Sequence, residues 1–287
     1  MRTTIKTVAL IGHPVAHSIS PHFQQAAFDA LALPFRYEAW DTPPEQLPAS
    51  VAQLRHPDHA GANVTVPHKE AIASLLDRVD EAARATGAVN VIYREGGALA
   101  GSNTDIAGFS QALRLEGGLD VRGARAGVLG AGGAARAVVY ALLRDGAARV
   151  WVHNRTPARA AALVAALSPN ERRVAVTSGD PGDPRSPLQH CDVLINCTTL
   201  GMAHGPGALD AYLRESQIPT GIVVCDLVAN PTRTPLLARA EARGCRTLGG
   251  LPMLVRQGAA AFTFWTGREA PLDVMFAAAR QAMGQEP

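Results

Sequence analysis

The sequence predicts an α/β fold with two domains, one built on a mostly parallel sheet and one of Rossmann type. Short apolar runs alternate with helical stretches over the first hundred residues, and a second alternating series with a glycine-rich turn begins near Gly127. Alternation of strands and helices favours a parallel sheet covered by helices on both faces. The chain has 287 residues, 47% of them apolar, and is therefore long enough to bury two cores of ordinary size.

The first series starts with an apolar run at 7–12 that is typical of a buried strand. Ser20 and Pro21 then open a helix, because proline is tolerated at the first helical position, where its missing N–H would have no partner. The polar groups at 88–90 and 101–105 are typical of turns. Further strands are predicted at 35–40 and 61–66, and further helices at 47–54 and 69–76.

The second series has the spacing of a Rossmann half, with a strand at 127–129, the glycine turn, and a helix over 134–143. The stretch 178–187, rich in Gly, Pro and Asp, predicts a surface loop. More strands are predicted at 149–153, 192–196 and 222–227. The apolar tail, 251–283, predicts helices that carry Val255, Ala259, Phe262 and Phe264 close to one face.

Composition excludes several classes of partner. A formal net charge of +2, with no long run of Lys or Arg, does not suit binding to nucleic acid or to a membrane surface, so we expect small-molecule ligands. The segment 1–10 is too short and too interrupted for a signal peptide or a transmembrane helix, which predicts a cytoplasmic protein. The four cysteines show no C-x-x-C spacing and the histidines no H-E-x-x-H pair, so we expect reduced thiols and no metal site.

A glycine-rich turn at 130–135 follows a predicted strand and opens a predicted helix. Glycines at its first and third positions would let the backbone approach a pyrophosphate at the helix N-terminus. The alternative is a tight turn in an Ala-rich protein, because the motif alone is not decisive. The candidate cofactor-binding residues in this turn are Gly130, Ala131, Gly132, Gly133 and Ala134.

The end of the next strand favours one cofactor over another. NAD-binding Rossmann units carry an acidic residue there, about 20 residues past the glycines, to hold the ribose hydroxyls. This chain has Asn154 instead, followed by Arg155, Thr156 and, on the next helix, Arg159. A guanidinium binds a 2′-phosphate through two hydrogen bonds, whereas a carboxylate would repel it. The sequence therefore predicts NADP, the alternative being that both arginines are only solvated.

Polar residues follow two strands of the first series, where open α/β sheets present ligands. Ser18 and Ser20 lie at a helix N-terminus and could receive a carboxylate, although Ser20 is as easily a helix cap. Asn63, Thr65 and Lys69 place an amide, a hydroxyl and an ammonium at the end of the third strand. A lone lysine is usually only solvated, so it is the combination of the three residues that indicates a ligand site.

These motifs together resemble the shikimate dehydrogenase family, which shows them in this order and at this spacing. The resemblance covers about residues 5–270, nearly the whole chain. The segments that carry it are 12–21, 63–69, 88–90, 103–105, 130–134, 154–156, 195–202, 234–237 and 250–257.

The resemblance implies a substrate-binding domain formed by residues 1–106 with the C-terminal helices, 250–287, and an NADP-binding Rossmann domain over 107–249. The implied reaction is reversible hydride transfer between NADPH and 3-dehydroshikimate, giving shikimate, a step toward aromatic amino acids. We expect a monomer or a homodimer. Ser18 and Ser20 would hold the substrate carboxylate. The residues that would contact the ring hydroxyls are Thr65, Asn90, Asp105 and Gln257, and those that would add to the cofactor site are Leu227 and Gly250.

Lys69 would lie at the hydroxyl that is oxidised, beside Asp105. Hydride arriving at a carbonyl carbon leaves negative charge developing on the oxygen, which needs a proton and a stabilising charge, and an ammonium supplies both. A catalytically silent sensor that binds only cofactor or metabolite is a competing hypothesis. The retention of both Lys69 and Asp105 argues against it.

Three positions depart from the family pattern. Gln24 and Gln25 stand where His and Asn are common, and Val91 stands where Thr is usual. The family's D-x-x-Y segment loses its tyrosine to Ala229, which removes a side chain expected to reach the substrate. This change leaves open a paralogue that acts on quinate or another substituted cyclohexane carboxylic acid.

Overall fold

Two compact units make up the chain in the computed structural model, which describes residues 4–167, 172–203 and 212–284. One unit comprises Met1–Asp105 with Val255–Pro287, and the other comprises Ile106–Leu254. The predicted domain boundaries differ from this division by one residue at the first (106 against 105) and by five at the second (249 against 254). Within the described residues, no helix is both long and apolar enough to cross a membrane.

The N-terminal part of the first unit contains, within its described residues, six strands and three α-helices. The strands are β1 (Lys6–Gly12), β2 (Phe35–Asp41), β3 (His59–Val64), β4 (Arg78–Val79), β5 (Val91–Glu95) and β6 (Ala98–Ser102). The helices are α1 (Ser20–Ala30), α2 (Leu47–Leu54) and α3 (Glu81–Thr86). The strands form one sheet in the order β2-β1-β3-β5-β6-β4.

The sheet of the first unit is parallel at β2-β1-β3 and at the β6-β4 edge, and antiparallel where β5 pairs with β3 and β6. The sequence analysis predicts only polar turns in this region and not the hairpin of β5 and β6. Its signal is the Gly96-Gly97 pair, whose φ values of +57° and +86° suit the two-residue turns that join antiparallel strands. The strict alternation expected from the sequence therefore ends after β3.

The helix predicted at 69–76 is wrong in type and extent, because only a short 3₁₀ helix, Ala71–Leu75, forms there. The carbonyl of Lys69 accepts a hydrogen bond of 2.7 Å from the backbone N–H of Val89, outside this segment. The backbone of Lys69 is thereby tied to the β5 side of the sheet rather than to a helical turn. Similarly, β3 ends at Val64, two residues before the predicted end at 66.

The tail forms two helices, α8 (Leu251–Thr266) and α9 (Leu272–Ala282), and from Val255 onward it belongs to the first unit. On α8, Phe262 is fully buried and its ring stacks on Phe28 of α1 with 5.1 Å between centroids. The prediction that Phe264 shares this buried face is wrong, because its side chain is 39% exposed and lies against Tyr93. Apolar type alone did not distinguish the two phenylalanines.

The second unit is a Rossmann domain. Its six described strands are β7 (Arg125–Leu129), β8 (Arg149–His153), β9 (Val174–Thr177), β10 (Val193–Asn196), β11 (Val223–Asp226) and β12 (Arg246–Leu248). Its helices are α4 (Asp105–Leu115), α5 (Gly133–Arg144), α6 (Pro157–Leu167) and α7 (Pro235–Ala242). The pairs among these strands are parallel, and the order β9-β8-β7-β10-β11-β12 is the doubly wound arrangement that binds dinucleotides.

The strands of the second unit follow the prediction closely except for β9 and β12, which were not predicted. Both are short edge strands of four and three residues. All four cysteines are free thiols, and burial raises the pKa of the Cys191 thiol to about 12. Across the described part of the chain, no group of three or more His, Cys, Asp or Glu is arranged to hold a metal ion.

We predict that Phe262→Ala lowers the free energy of unfolding by about 3–5 kcal/mol, because it removes a fully buried ring and leaves a cavity. Phe264→Ala is the matched control on the same helix and should cost about 1 kcal/mol or less. Urea denaturation of both variants measures the difference. Equal losses would show that the tail does not pack on α1 as described.

Candidate active site

A buried ion pair lies where two segments of the first unit meet. The Nζ of Lys69 donates to Oδ2 of Asp105 at 2.5 Å, and the two side chains are 17% and 4% exposed. Lys69 follows β3 after a turn, while Asp105 is the first residue of α4. Burying either charge alone would destabilise the folded state, so each of the two charged side chains requires the other.

Asn90 joins this pair to the C-terminal helix. Its Nδ2 donates to Oδ1 of Asp105 at 2.8 Å and to Oε1 of Gln257 on α8 at 3.1 Å. Its Oδ1 accepts the backbone N–H of Thr104 at 2.7 Å. Both carboxylate oxygens of Asp105 therefore have donors, and four predicted site residues, Lys69, Asn90, Asp105 and Gln257, form one hydrogen-bonded cluster.

Asn103 fixes the backbone that carries Asp105. Its Oδ1 accepts the N–H of Asp105 at 3.1 Å, and its Nδ2 donates to the carbonyl of Ala88 at 2.9 Å and to Oγ1 of Thr86 at 3.1 Å. The amide is almost fully buried. Asn103 was not predicted as a site residue. The signal was an asparagine two residues before a buried acid, where it can accept the acid's own N–H.

The two serines lie apart from the ion pair but on an adjoining segment. Ser18 Oγ accepts the backbone N–H of Ser20 at 3.2 Å, and Ser20 is buried at the start of α1. The segment that leads to them is joined to the turn before Lys69 by a hydrogen bond from His13 N–H to the Val66 carbonyl at 3.0 Å. No hydrogen bond joins either serine to Lys69 or Asp105 in the described residues.

Thr65 lies against the same leading segment. Its backbone N–H donates to the Ile11 carbonyl at 2.8 Å. A Cβ added to Gly12 would stand 2.3 Å from Thr65 Cγ2, so only glycine allows the end of β1 to approach the turn this closely. The first unit thus places the serines, Thr65 and the Lys69 cluster along neighbouring strand ends, and its donors suit a small carboxylate that carries hydroxyl groups.

The glycine turn of the second unit has the geometry of a pyrophosphate site. Gly130 has φ +109°, which residues other than glycine rarely adopt, and a Cβ there would lie 3.2 Å from the Cys197 backbone. Gly132 is the N-cap of α5 with no side-chain cap, and a Cβ on it would meet no atom within 4 Å. The first N–H groups of α5, on Gly133 and Ala134, thus lack a capping side chain and fit an anion.

The residues after β8 present positive charge to solvent. Asn154 Nδ2 donates to the Thr156 carbonyl at 2.9 Å, which shapes the turn into α6. Arg155, Thr156 and Arg159 are exposed, and no hydrogen bond holds either guanidinium to another described residue. The first turn of α6 contains no acidic residue. Cations at a helix N-terminus oppose the helix dipole, so this arrangement favours an anionic ligand over a structural role.

Leu227 and Gly250 are in contact, as expected if both contribute to one site. A Cβ on Gly250 would lie 2.3 Å from the Leu227 carbonyl oxygen, and Gly250 N–H donates to the Val228 carbonyl at 3.2 Å. Gly250 is therefore required for the close approach of the two segments. Ala131, between the cofactor-site glycines, is buried.

A buried carboxylate that was not among the predicted site residues organises this region. Asp226, fully buried at the end of β11, accepts hydrogen bonds from Thr234 Oγ1 at 2.6 Å, Asn196 Nδ2 at 2.9 Å and Val228 N–H at 3.1 Å. Asn196 Oδ1 also accepts a hydrogen bond from Thr198 Oγ1 at 2.7 Å. Thr234 caps α7 by accepting the N–H of Leu237 at 3.2 Å. One side chain therefore fixes the loops after β10 and β11.

Comparisons with known proteins identify the family of the chain. A sequence model of the shikimate dehydrogenase substrate-binding domain matches residues 10–92, one of shikimate/quinate 5-dehydrogenase matches 112–204, and one of the shikimate 5′-dehydrogenase C-terminal domain matches 250–280. A shikimate dehydrogenase (NADP(+)) of Moorella thermoacetica is 48% identical over 279 residues, covering 96% of this chain and 93% of that protein. The chain belongs to the shikimate dehydrogenase family.

Solved structures of shikimate dehydrogenase family members share the fold. The shikimate 5-dehydrogenase of Thermus thermophilus, in complex with NADP(H) and shikimate, is 39% identical with a TM-score of 0.86, covering 96% of this chain and 99% of that chain. The quinate dehydrogenase of Corynebacterium glutamicum, in complex with NAD, is 29% identical with a TM-score of 0.85, covering 95% of this chain and 98% of that chain. Fold similarity alone therefore does not separate the two substrates.

Asp226 gives a pH-dependent prediction. Burial raises the pKa of its carboxyl above the ordinary 3.8, against the opposing effect of its hydrogen bonds. The folded state then holds the proton more tightly than the unfolded state, so the contribution to stability is present below the unfolded pKa and is lost as pH rises through the folded pKa. Asp226→Asn lacks this titration, and the free energy of unfolding of wild type minus variant should fall from about pH 4 to pH 7.

The control is Asp183→Asn, measured by urea denaturation over the same pH range. The Arg185 guanidinium lowers the pKa of Asp183 to about 2. Its contribution has the opposite sign, since it is present above the unfolded pKa and lost as pH falls. The explanation by burial would be wrong if the difference in free energy of unfolding between wild type and Asp226→Asn did not change with pH. It would also be wrong if that difference changed in the same direction as the difference for Asp183→Asn.

Proposed function

We propose that this chain is an NADP-dependent shikimate dehydrogenase that catalyses reversible hydride transfer between NADPH and 3-dehydroshikimate, giving shikimate. The observation that carries the proposal is the buried cluster of Lys69, Asp105, Asn90 and Gln257, which combines one proton donor with several groups for hydroxyls. Membership of the family and the activities of the relatives support it.

Each candidate site residue of the first unit has a role in this proposal. Ser18 and Ser20 hold the substrate carboxylate, beside the start of α1. Thr65, Asn90, Asp105 and Gln257 contact the ring hydroxyls. Lys69 lies at the oxygen of the reacting carbon and gives it a proton in the reducing direction. Asp105 holds the ammonium in place through the 2.5 Å hydrogen bond and balances its charge.

The bound cofactor supplies the hydride, and the chain's own residues supply the proton and the orientation. As the carbonyl is reduced, negative charge grows on its oxygen, where the Lys69 ammonium stabilises it and then transfers a proton to it, leaving a hydroxyl and a neutral amine. In the reverse direction the neutral amine accepts the hydroxyl proton. Alcohol oxidation therefore requires a side chain that can lose a proton at working pH.

Composition supports a proton-transfer role for Lys69. Of the 27 Lys and Arg residues, only Lys6 and Lys69 are lysines. A guanidinium stays protonated at any working pH, whereas an ammonium can act as donor and, once neutral, as acceptor. A chain that carries nearly all its positive charge on arginine thus has lysine at the buried ion pair of the candidate site.

We expect Lys69→Ala to lower kcat by about 100-fold or more, with a smaller change in the KM for shikimate, because the proton is transferred in the chemical step. Initial rates of NADP reduction measure both constants. Lys6→Ala, the other lysine, is the matched control and should leave kcat unchanged. A Lys69→Ala enzyme with nearly wild-type kcat would remove Lys69 from the mechanism.

NADP binding is proposed for the second unit. The backbone of Gly130, Ala131, Gly132, Gly133 and Ala134 receives the pyrophosphate, Asn154, Arg155, Thr156 and Arg159 surround the 2′-phosphate, and Leu227 and Gly250 complete the site. The open space at Gly132 and the exposed guanidinium groups, which have no hydrogen-bond partner among the described residues, support this assignment. The absence of an acid after β8 removes the repulsion that would disfavour a 2′-phosphate.

Arg155→Ala should reduce the preference for NADP over NAD by about 10- to 100-fold in kcat/KM, since a charged hydrogen bond to phosphate is worth about 1.5–3 kcal/mol. The measurement compares both cofactors at saturating shikimate. Arg114→Ala, an exposed arginine on α4, serves as the control and should not change the ratio. A wild type that prefers NAD, or an unchanged ratio in Arg155→Ala, would contradict the proposal.

A second candidate function is oxidation of quinate or another bulkier cyclohexane carboxylic acid. Ala229 favours it, because an alanine stands where the family pattern has a tyrosine, and the lost side chain leaves volume and removes a hydroxyl. The quinate dehydrogenase similarity, at 29% identity, is weaker than the similarity to shikimate dehydrogenases. We therefore place shikimate first.

Ala229→Tyr distinguishes the two substrates. If shikimate binds in the family manner, the new hydroxyl should raise kcat/KM for shikimate by about 10- to 100-fold and lower that for quinate. Parallel initial rates with both acids measure the effect. Loss of shikimate activity, combined with quinate as the better wild-type substrate, would identify a specialised paralogue instead.

Small molecules are the proposed partners of this enzyme. Its location in the cytoplasm and its state as a monomer or homodimer remain predictions of the sequence. Size-exclusion chromatography with light scattering measures the oligomeric state.

A further inference from the structure

Helix α1 buries one continuous face. Its buried residues, Ser20, Phe23, Gln24, Ala27 and Phe28, recur at helical spacing. Ser20 and Gln24 are four residues apart, so they lie one above the other on this face. Gln24 is therefore one helical turn from the serine proposed to hold the substrate carboxylate.

Gln24 is also bonded to the helix that carries Gln257. Its Nε2 donates to the backbone carbonyl of Gly258, the next residue along α8, at 2.9 Å. A Cβ on Gly258 would lie 2.6 Å from the ring of Phe23, so glycine allows α1 and α8 to approach at this point. One turn further along both helices, Phe28 stacks on Phe262.

The amide of Gln24 is not the most stable choice for this position. Its side chain is fully buried, and its Oε1 has no hydrogen-bond partner among the described residues. A buried unsatisfied acceptor destabilises a protein, whereas an apolar side chain of similar shape would avoid that cost. Residues that reduce stability in this way are found mainly where function requires them.

We propose that Gln24 is a positioning residue that sets the separation between Ser20 on α1 and Gln257 on α8. This inference rests on the proposed function, in which Ser20 binds the carboxylate and Gln257 a ring hydroxyl. The carboxylate and the hydroxyl are held at a fixed distance by the rigid ring of the substrate. A small change in the separation of Ser20 and Gln257 therefore weakens substrate binding. Gln24 itself touches neither substrate nor cofactor.

The test is Gln24→Met, which keeps the shape and removes both the hydrogen bond and the unsatisfied oxygen. We expect the KM for shikimate to rise about tenfold, equivalent to about 1.4 kcal/mol, with kcat and the KM for NADP within about twofold of wild type. The melting temperature should be unchanged or higher. Gln24→His, which retains an N–H donor, should have a KM for shikimate within about threefold of wild type.

The matched control is Gln25→Met, because the amide of Gln25 bonds to β2 backbone rather than to α8. It should leave the KM for shikimate unchanged even if it lowers the melting temperature. If Gln24→Met fails to fold, Gly258→Ala perturbs the same contact from α8 and should raise the same KM.

An unchanged KM for shikimate in Gln24→Met or, where that variant does not fold, in Gly258→Ala, or a lower melting temperature alone, would show that Gln24 is only structural. A wild type with no shikimate activity would overturn the proposed function together with this inference. An active wild type with an unmoved KM in Gln24→Met overturns the inference alone.

Discussion

The carboxylate of Asp105 is the constraint on which the candidate substrate site depends. Its two oxygens accept hydrogen bonds from Lys69 Nζ and Asn90 Nδ2, and its backbone N–H is held by Asn103. A charge this deeply buried requires donors on each side. Satisfying it draws together the turn after β3, the segment before β5, the end of β6 and, through Asn90, Gln257 of α8.

The second unit uses a buried carboxylate in a comparable way. Asp226 accepts three hydrogen bonds from groups on separate segments and so shapes the loops that follow β10 and β11. These loops carry Thr198 and Leu227, whose neighbours include Gly130 and Gly250. Each unit thus fixes flexible loop backbone with a single acid, which costs less conformational entropy at binding than loops that must be ordered by the ligand.

Much of the fold could be predicted because local patterns agree with it. The strand at 149–153 and the helix at 47–54 appear with the predicted bounds, and the Rossmann order follows from the glycine turn and the spacing of strands. The β5–β6 hairpin has a local signal, the Gly96-Gly97 pair, that the sequence analysis does not use. The 3₁₀ helix at Ala71–Leu75 and the exposure of Phe264 could not be predicted in the same way. These features depend on backbone bonds and packing between distant segments.

The candidate site shows the same limit. Asn90 and Gln257 are 167 residues apart, and no local signal shows that their side chains meet. The resemblance to a family supplied those residues as a set. Neither Asp226 nor Asn103 was given a role in that set. Asp226 resembles an ordinary residue at a strand end, and Asn103 an ordinary turn residue, until their hydrogen bonds are seen.

Amine rescue of Lys69→Ala tests the central claim most directly. The Lys69 side chain is 17% exposed, so a small amine can enter the space that the substitution leaves. We predict that ethylamine raises kcat in proportion to its concentration, while guanidinium at the same concentration, below denaturing levels, does not, because it carries the charge but cannot exchange the proton. Equal rescue by guanidinium, or no rescue by any small amine, would contradict proton transfer by Lys69.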